Sequence, residues 1–174
     1  MTEGYVEVVR ALIRDRNGRV LLLERAFDPR YDSGKLCLPG GVIIGSESSQ
    51  IACAREIREE TGLLIEEHYS DIPIILVDIR EYGKFICYYY SLDRFSGKLR
   101  INEESSRAFW RDVDDLEENE IAFPTDWKYL QYFTGRNIPR LRRMHLQSFS
   151  RRNISRLRRM PVSTLANFAS KVPI

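Results

Sequence analysis

The chain has 174 residues, 43% of them apolar, and its 27 bases against 25 acids leave a net charge of +2. That length and apolar share fit one globular domain with its own core. No run of about 18 apolar residues is present, and Glu3 and Glu7 stand where a secretory leader would be basic, so neither a membrane span nor a leader is expected and a soluble, cytoplasmic protein is.

The small net charge conceals an asymmetry. Up to Asp126, the last acidic residue, 25 acids face 16 bases, whereas 11 bases and no acids follow it. The two parts differ electrostatically, so residues 1–135 are read as the domain and 136–174 as a basic extension, helical or disordered.

Residues 5–13 and 19–25 are rich in Val, Leu and Ile around the turn sequence DRNGR, and they are expected to form a hairpin. A short strand at 36–38 ends at Pro39-Gly40-Gly41. Ser46, Ser48 and Ser49 are possible caps of a helix over 50–60, with Gly62 closing it. Strands are expected at 72–80 and 84–92 around Tyr82-Gly83, at 98–101 after a turn at Ser96-Gly97, and at 108–113. An acidic helical segment over 114–120 precedes a second helix, capped by Thr125 and closed by Gly135. The order predicts an α+β fold with a mixed sheet.

Cys37, Cys53 and Cys87 form no C-x-x-C pair and have no nearby histidine to complete a zinc set, so they are expected to be buried free thiols.

The stretch REIREETGL at 55–63 crowds three glutamates onto one helix. At about 100° per residue, Glu56, Glu59 and Glu60 share an arc of about 100°, opposite Ile51, Ala54, Ile57 and Thr61. Like charges so placed repel. Arg55 and Arg58 flank the apolar stripe, and the acidic face is expected to take a hard divalent cation, since Mg²⁺ prefers carboxylates, waters and substrate phosphates. Three glutamates alone also describe an ordinary solvated helix face. The residues around them decide between the two.

Residues 41–63 fit G-x5-E-x7-R-E-U-x-E-E-x-G-U, with U apolar, through Gly41, Glu47, Arg55, Glu56, Ile57, Glu59, Glu60, Gly62 and Leu63. This resembles the signature of the Nudix hydrolases, and the likeness extends more loosely across residues 5–133. The resemblance implies a Nudix-type α/β/α sandwich in which Mg²⁺ or Mn²⁺ is held against a diphosphate while water attacks phosphorus. It assigns metal binding to Glu56 and Glu60, with Glu59 a third ligand and the Gly40 carbonyl a further oxygen. Arg55 would orient the acids together with Glu47. A later loop glutamate commonly serves as base or ligand, which points to Glu103 or Glu104, with Glu104 favoured. Glu56, Glu59, Glu60, Arg55 and Glu104 are thus the expected catalytic set.

Arg25, Arg30 and Lys35 are candidate phosphate contacts, and Tyr31 is a candidate for stacking on a base. RAFDPRYDSGKLCLPGG resembles the segment before the signature in coenzyme A pyrophosphatases, with Leu23 and Leu38 in place of the usual Thr and Phe. GKLCLPGG together with IAFPTDWKYL is similar to the ADP-ribose and NADH pyrophosphatase-like branch, although Pro73 falls too early for the proline that branch often carries. The expected substrate is a nucleoside diphosphate linked to X, with ADP-ribose, a dinucleotide or a nucleotide sugar favoured. The alternatives are a (d)NTP or coenzyme A pyrophosphatase, an RNA 5′-end pyrophosphohydrolase and a non-catalytic nucleotide-binding module. A homodimer is the expected assembly.

In the extension, RNIPRLRRM at 136–144 recurs as RNISRLRRM at 152–160. Clustered arginines suit a nucleic acid or an anionic surface, because they gain by releasing counterions. A flexible solubilising tail, or one that folds back onto the acidic domain, fits the same composition.

Overall fold

A computed structural model describes residues 4–26, 33–65, 73–80 and 83–134. The basic extension and its repeated motif therefore lie outside the described residues. Among the described residues no helix is long and apolar enough to cross a membrane.

The centre is a mixed sheet in the order β1-β6-β5. Strand β1 (Tyr5–Ile13) runs parallel to β6 (Gly83–Leu92), and β5 (Ile74–Arg80) is antiparallel to β6. Both β1 and β6 read as nearly continuous apolar runs because both their faces are covered. Val8 and Leu12 join Cys87, Tyr89 and the helix residues Tyr129 and Leu130 in one core cluster. Val9, Ala11 and Ile13 point the other way and join Tyr88, Tyr90, Ala52, Cys53 and Ile57. The helices α1 (Ser49–Thr61) and α2 (Pro124–Thr134) supply those partners, so the sheet is sandwiched between them as expected. All three cysteines are free and buried.

A second, antiparallel sheet has the order β3-β2-β8, built from Leu36–Cys37, Val20–Arg25 and Ser105–Arg111. The expected β1–β2 hairpin is not formed. Past the end of β1 a bridge joins Arg14 to Val20 and Asp15 N donates to the Arg19 carbonyl at 2.9 Å, but the strands themselves do not pair, because the outer edge of β1 is occupied by residues 39–43. Ala11 N donates to the Pro39 carbonyl at 2.8 Å, Val9 N to Gly41 at 2.8 Å and Ile43 N to Glu7 at 2.9 Å.

Other expectations need correction as well. The pair Ser96-Gly97 is not a turn but the end of β7 (Phe95–Gly97), which pairs with β4 (Leu63–Ile65) directly after α1. Residues 98–101 are irregular; Gly97 lies so close to the Gly62 carbonyl that a side chain would not fit there. The segment 114–120 forms two single 3₁₀ turns rather than one helix, and α2 begins at Pro124, one residue before the predicted cap. Proline suits that first helical position, where its missing N–H leaves no bond unmade.

Helix α1 is capped by the Ser48 side chain and closed by left-handed Gly62. Its buried face differs from the expected stripe. Ala52, Cys53, Ile57, Glu60 and Thr61 are buried, whereas Ile51 is 61% exposed. The face in contact with the sheet is therefore turned toward Glu60. Ile57→Ala should cost about 2–5 kcal/mol in urea unfolding, and Ile51→Ala should stay within about 0.5 kcal/mol. Equal costs would place the packed face elsewhere.

Candidate active site

The site is built where residues 39–43 lie between the β1 edge and α1. Gly40 has φ 142°, and a side chain there would collide with the Val9 carbonyl. A Cβ on Gly41 would sit 2.5 Å from the carboxyl carbon of Glu56. Only glycines let the backbone approach both neighbours this closely. Gly40 N–H then donates to Glu60 Oε2 at 2.7 Å, and its carbonyl accepts from Arg10 Nη1 at 2.7 Å.

The rotation of α1 sorts its three carboxylates by environment. Glu60 is 9% exposed, the Glu56 side chain 14% and the Glu59 side chain 55%. Arg55 spans the outer two. Its Nη1 donates to Glu56 Oε1 at 2.8 Å and to Glu59 Oε2 at 3.1 Å, while Nη2 reaches Glu47 Oε1 at 2.7 Å and the Val42 carbonyl at 3.0 Å. One guanidinium is thus bonded at once to Glu47, Glu56 and Glu59. The acidic face therefore already carries one cation at its outer edge.

Burial raises the proton affinity of Glu60 most, and the negative charges of Glu56 and Glu104 add to it; the Gly40 amide and the charge of Arg10 oppose the rise. Its pKa is pushed up to about 7. Burial likewise raises Glu56, with Arg55 opposing and Glu59 and Glu104 adding. Glu47 moves the other way, held down by its hydrogen bond from Arg55. Glu104, on the loop before β8, is thus the loop acid among the strongest charges acting on both Glu56 and Glu60. Its backbone is fixed by Ala26 N–H, which its carbonyl accepts at 2.9 Å, and by Asn102 Oδ1, which accepts its own N–H at 3.1 Å.

Among the described residues no three His, Cys, Asp or Glu side chains are grouped so that together they could hold a metal ion. The donor set nevertheless fits Mg²⁺, which usually takes one or two carboxylates and fills its remaining positions with water and substrate phosphate. The contacts above use Oε1 of Glu56 and Oε2 of Glu60, leaving the other oxygen of each for a ligand. The Gly40 carbonyl has two lone pairs, of which Arg10 takes one.

Of the expected substrate contacts, Arg25 lies over the Phe123 ring at 5.2 Å, and its backbone N–H donates to the Lys35 carbonyl at 3.0 Å. Arg30 and Tyr31 lie outside the described residues. Two residues that bear on the site were not anticipated: Arg10, and Asp126 on α2. Strand alternation puts Arg10 on the same face as Val8 and Leu12, and a lone charge there was the available signal. Asp126 carried none, because an acid in a first helical turn is ordinary.

Residues 4–133 match the NUDIX domain family. The chain belongs to the Nudix family. An ADP-ribose pyrophosphatase of Methanocaldococcus jannaschii is 29% identical over 126 residues, 72% of each chain. An uncharacterised Nudix hydrolase of Bacillus subtilis is 25% identical over 131 residues, 74% of this chain and 79% of that one. The crystal structure of a MutT protein from Methanosarcina mazei superposes with a TM-score of 0.64 at 26% identity, covering 76% of this chain and 94% of that one. The protein is accordingly a Nudix hydrolase, and its reaction class is the hydrolysis of acid anhydrides.

The raised Glu60 links stability to pH. Its folded pKa of about 7 exceeds the ordinary value of 4.5, so the folded protein holds the proton more tightly. That stability is complete below pH 4.5 and is lost as pH rises through 7. Metal-free protein should therefore melt at progressively lower temperature across this window, and Glu60→Gln should flatten the decline. An unchanged slope in the variant would show that Glu60 is not the group responsible.

Proposed function

We propose that the protein is a Mg²⁺-dependent pyrophosphohydrolase of a nucleoside diphosphate linked to X, with ADP-ribose the favoured substrate. One observation carries this reading. Two carboxylates of α1 meet at the glycine pair, Glu56 packed against Gly41 and Glu60 accepting the Gly40 amide at 2.7 Å, and the charge of Glu104 from a separate loop adds to the raised proton affinity of both. Carboxylates gathered at that cost make chemical sense around a cation. The name of the M. jannaschii relative supports ADP-ribose over the other candidates.

Glu56 and Glu60 would hold Mg²⁺ or Mn²⁺, with Glu59 as a third carboxylate and the Gly40 carbonyl as an added oxygen. When bound, the ion neutralises charge developing on the phosphate oxygens. Glu104 takes the proton of the attacking water as its oxygen bonds to phosphorus, and the bridging oxygen leaves with the second phosphoryl group. Arg55 holds Glu56 and Glu59 in place throughout. Arg25, Arg30 and Lys35 are the candidate contacts for the substrate phosphates, and Tyr31 for the base. Residues 1–135 carry the reaction, and 136–174 form a basic extension outside it.

A panel of ADP-ribose, NADH, nucleotide sugars, coenzyme A, nucleoside triphosphates and capped RNA, assayed with and without Mg²⁺, tests the reading. ADP-ribose should yield AMP and ribose 5-phosphate only when the metal is present. Another substrate turned over faster would displace it as the favoured one. Glu56→Gln and Glu60→Gln should each lower kcat by about 100-fold or more, beyond what loss of an indirect partner costs. Wild-type turnover in either would refute the ligand assignment. Removing residues 136–174 should leave small-nucleotide turnover unchanged.

A further inference from the structure

Arg10 projects from β1 on the face that Val8 and Leu12 bury in the apolar core, and its side chain is only 12% exposed. Its Nη1 donates to the Gly40 carbonyl at 2.7 Å, and its Nε lies 3.7 Å from Asp126 Oδ1. The guanidinium rests over the Phe123 ring at 4.4 Å. Asp126 is fully buried on α2 and is itself held on both oxygens, accepting from Tyr89 Oη at 2.7 Å and from Leu38 N–H at 3.0 Å. A second path therefore runs from α2 to the loop, two residues before Gly40.

Packing alone does not account for this arrangement. A buried ion pair gains little over apolar residues of similar volume, because desolvation cancels most of the attraction. The Gly40–Gly41 peptide, by contrast, needs such a restraint. It joins two glycines, whose permissive backbone leaves the direction of the carbonyl weakly specified. The strand bonds at Pro39 and Gly41 fix the carbonyls on either side, and Arg10 is what fixes the one between them.

We infer that Arg10, locked by Asp126, is the positioning residue that sets the Gly40 carbonyl and, through the same loop, the carboxylate of Glu60. The inference rests on the reading that Gly40 and Glu60 belong to the metal site. The planar guanidinium is required because it must reach the carbonyl and the carboxylate at once, in a geometry that a single ammonium cannot reproduce.

The test uses the full chain with Arg10→Met and Arg10→Lys. Mn²⁺ binding to substrate-free protein is followed by the loss of the free-ion paramagnetic resonance signal; kcat and KM are measured on ADP-ribose at saturating Mg²⁺. Arg10→Met should weaken Mn²⁺ binding and lower kcat by about 10- to 100-fold, as loss of an outer-shell partner does, with KM within about twofold. Arg10→Lys keeps the charge and should recover only part of the loss. If Arg10→Met does not fold, Arg10→Lys alone decides. A folded variant with wild-type Mn²⁺ affinity and kcat overturns the inference, even if it melts at a lower temperature, because that pattern marks a role in stability alone. Wild-type protein that takes up no Mn²⁺ overturns the metal-site reading, and the inference with it, before any variant is compared.

Discussion

The Gly40–Gly41 peptide has to pass between a strand edge and a helix with no room for a side chain on either residue. Everything around it follows from that requirement. Because residues 39–43 bond along β1, β2 is displaced into the other sheet, and β1 is left with a parallel partner on its opposite edge. Because Gly41 abuts Glu56, α1 lies close enough for Glu60 to accept the Gly40 amide. The backbone at this point serves both as a sheet edge and as a wall of the site.

The electrostatics grow out of the same contact. A carboxylate that is 9% exposed and takes one amide hydrogen bond is poorly compensated for the water it has lost. Arg55 serves Glu47, Glu56 and Glu59 but makes no bond to Glu60. Arg10 moderates Glu60 only through space, since its own contacts go to Gly40, Asp126 and the Phe123 ring. The innermost acid is thus left with more negative charge around it than the protein itself neutralises.

Much of this was legible in the sequence where local rules dominate. The caps at Ser48 and Gly62, the strand limits of β1 and the glutamate spacing all follow from short-range chemistry. The pairing of β1 was not legible, because periodicity says which residues form a strand and not which edge receives which partner. The phase of α1 was misjudged for a related reason. Ile51 looks like core by composition, yet the loop at 39–43 draws Glu60 inward and turns Ile51 to solvent. Arg10 and Asp126 are 116 positions apart in the chain, and no spacing rule links them before the sheet and α2 are assembled.

The parallel pairing of β1 with β6 matches Tyr5 to Lys84 and Ile13 to Leu92. The first strand of the chain must therefore wait for a partner from most of a domain away before either core cluster can close. Contacts so distant in sequence are slow to form, since chain entropy is lost before burial compensates for it. During synthesis β1 emerges long before β6, exposing an apolar strand with both edges unpaired. The same strand that organises the finished molecule is thus the segment most open to misassembly while the chain is being made.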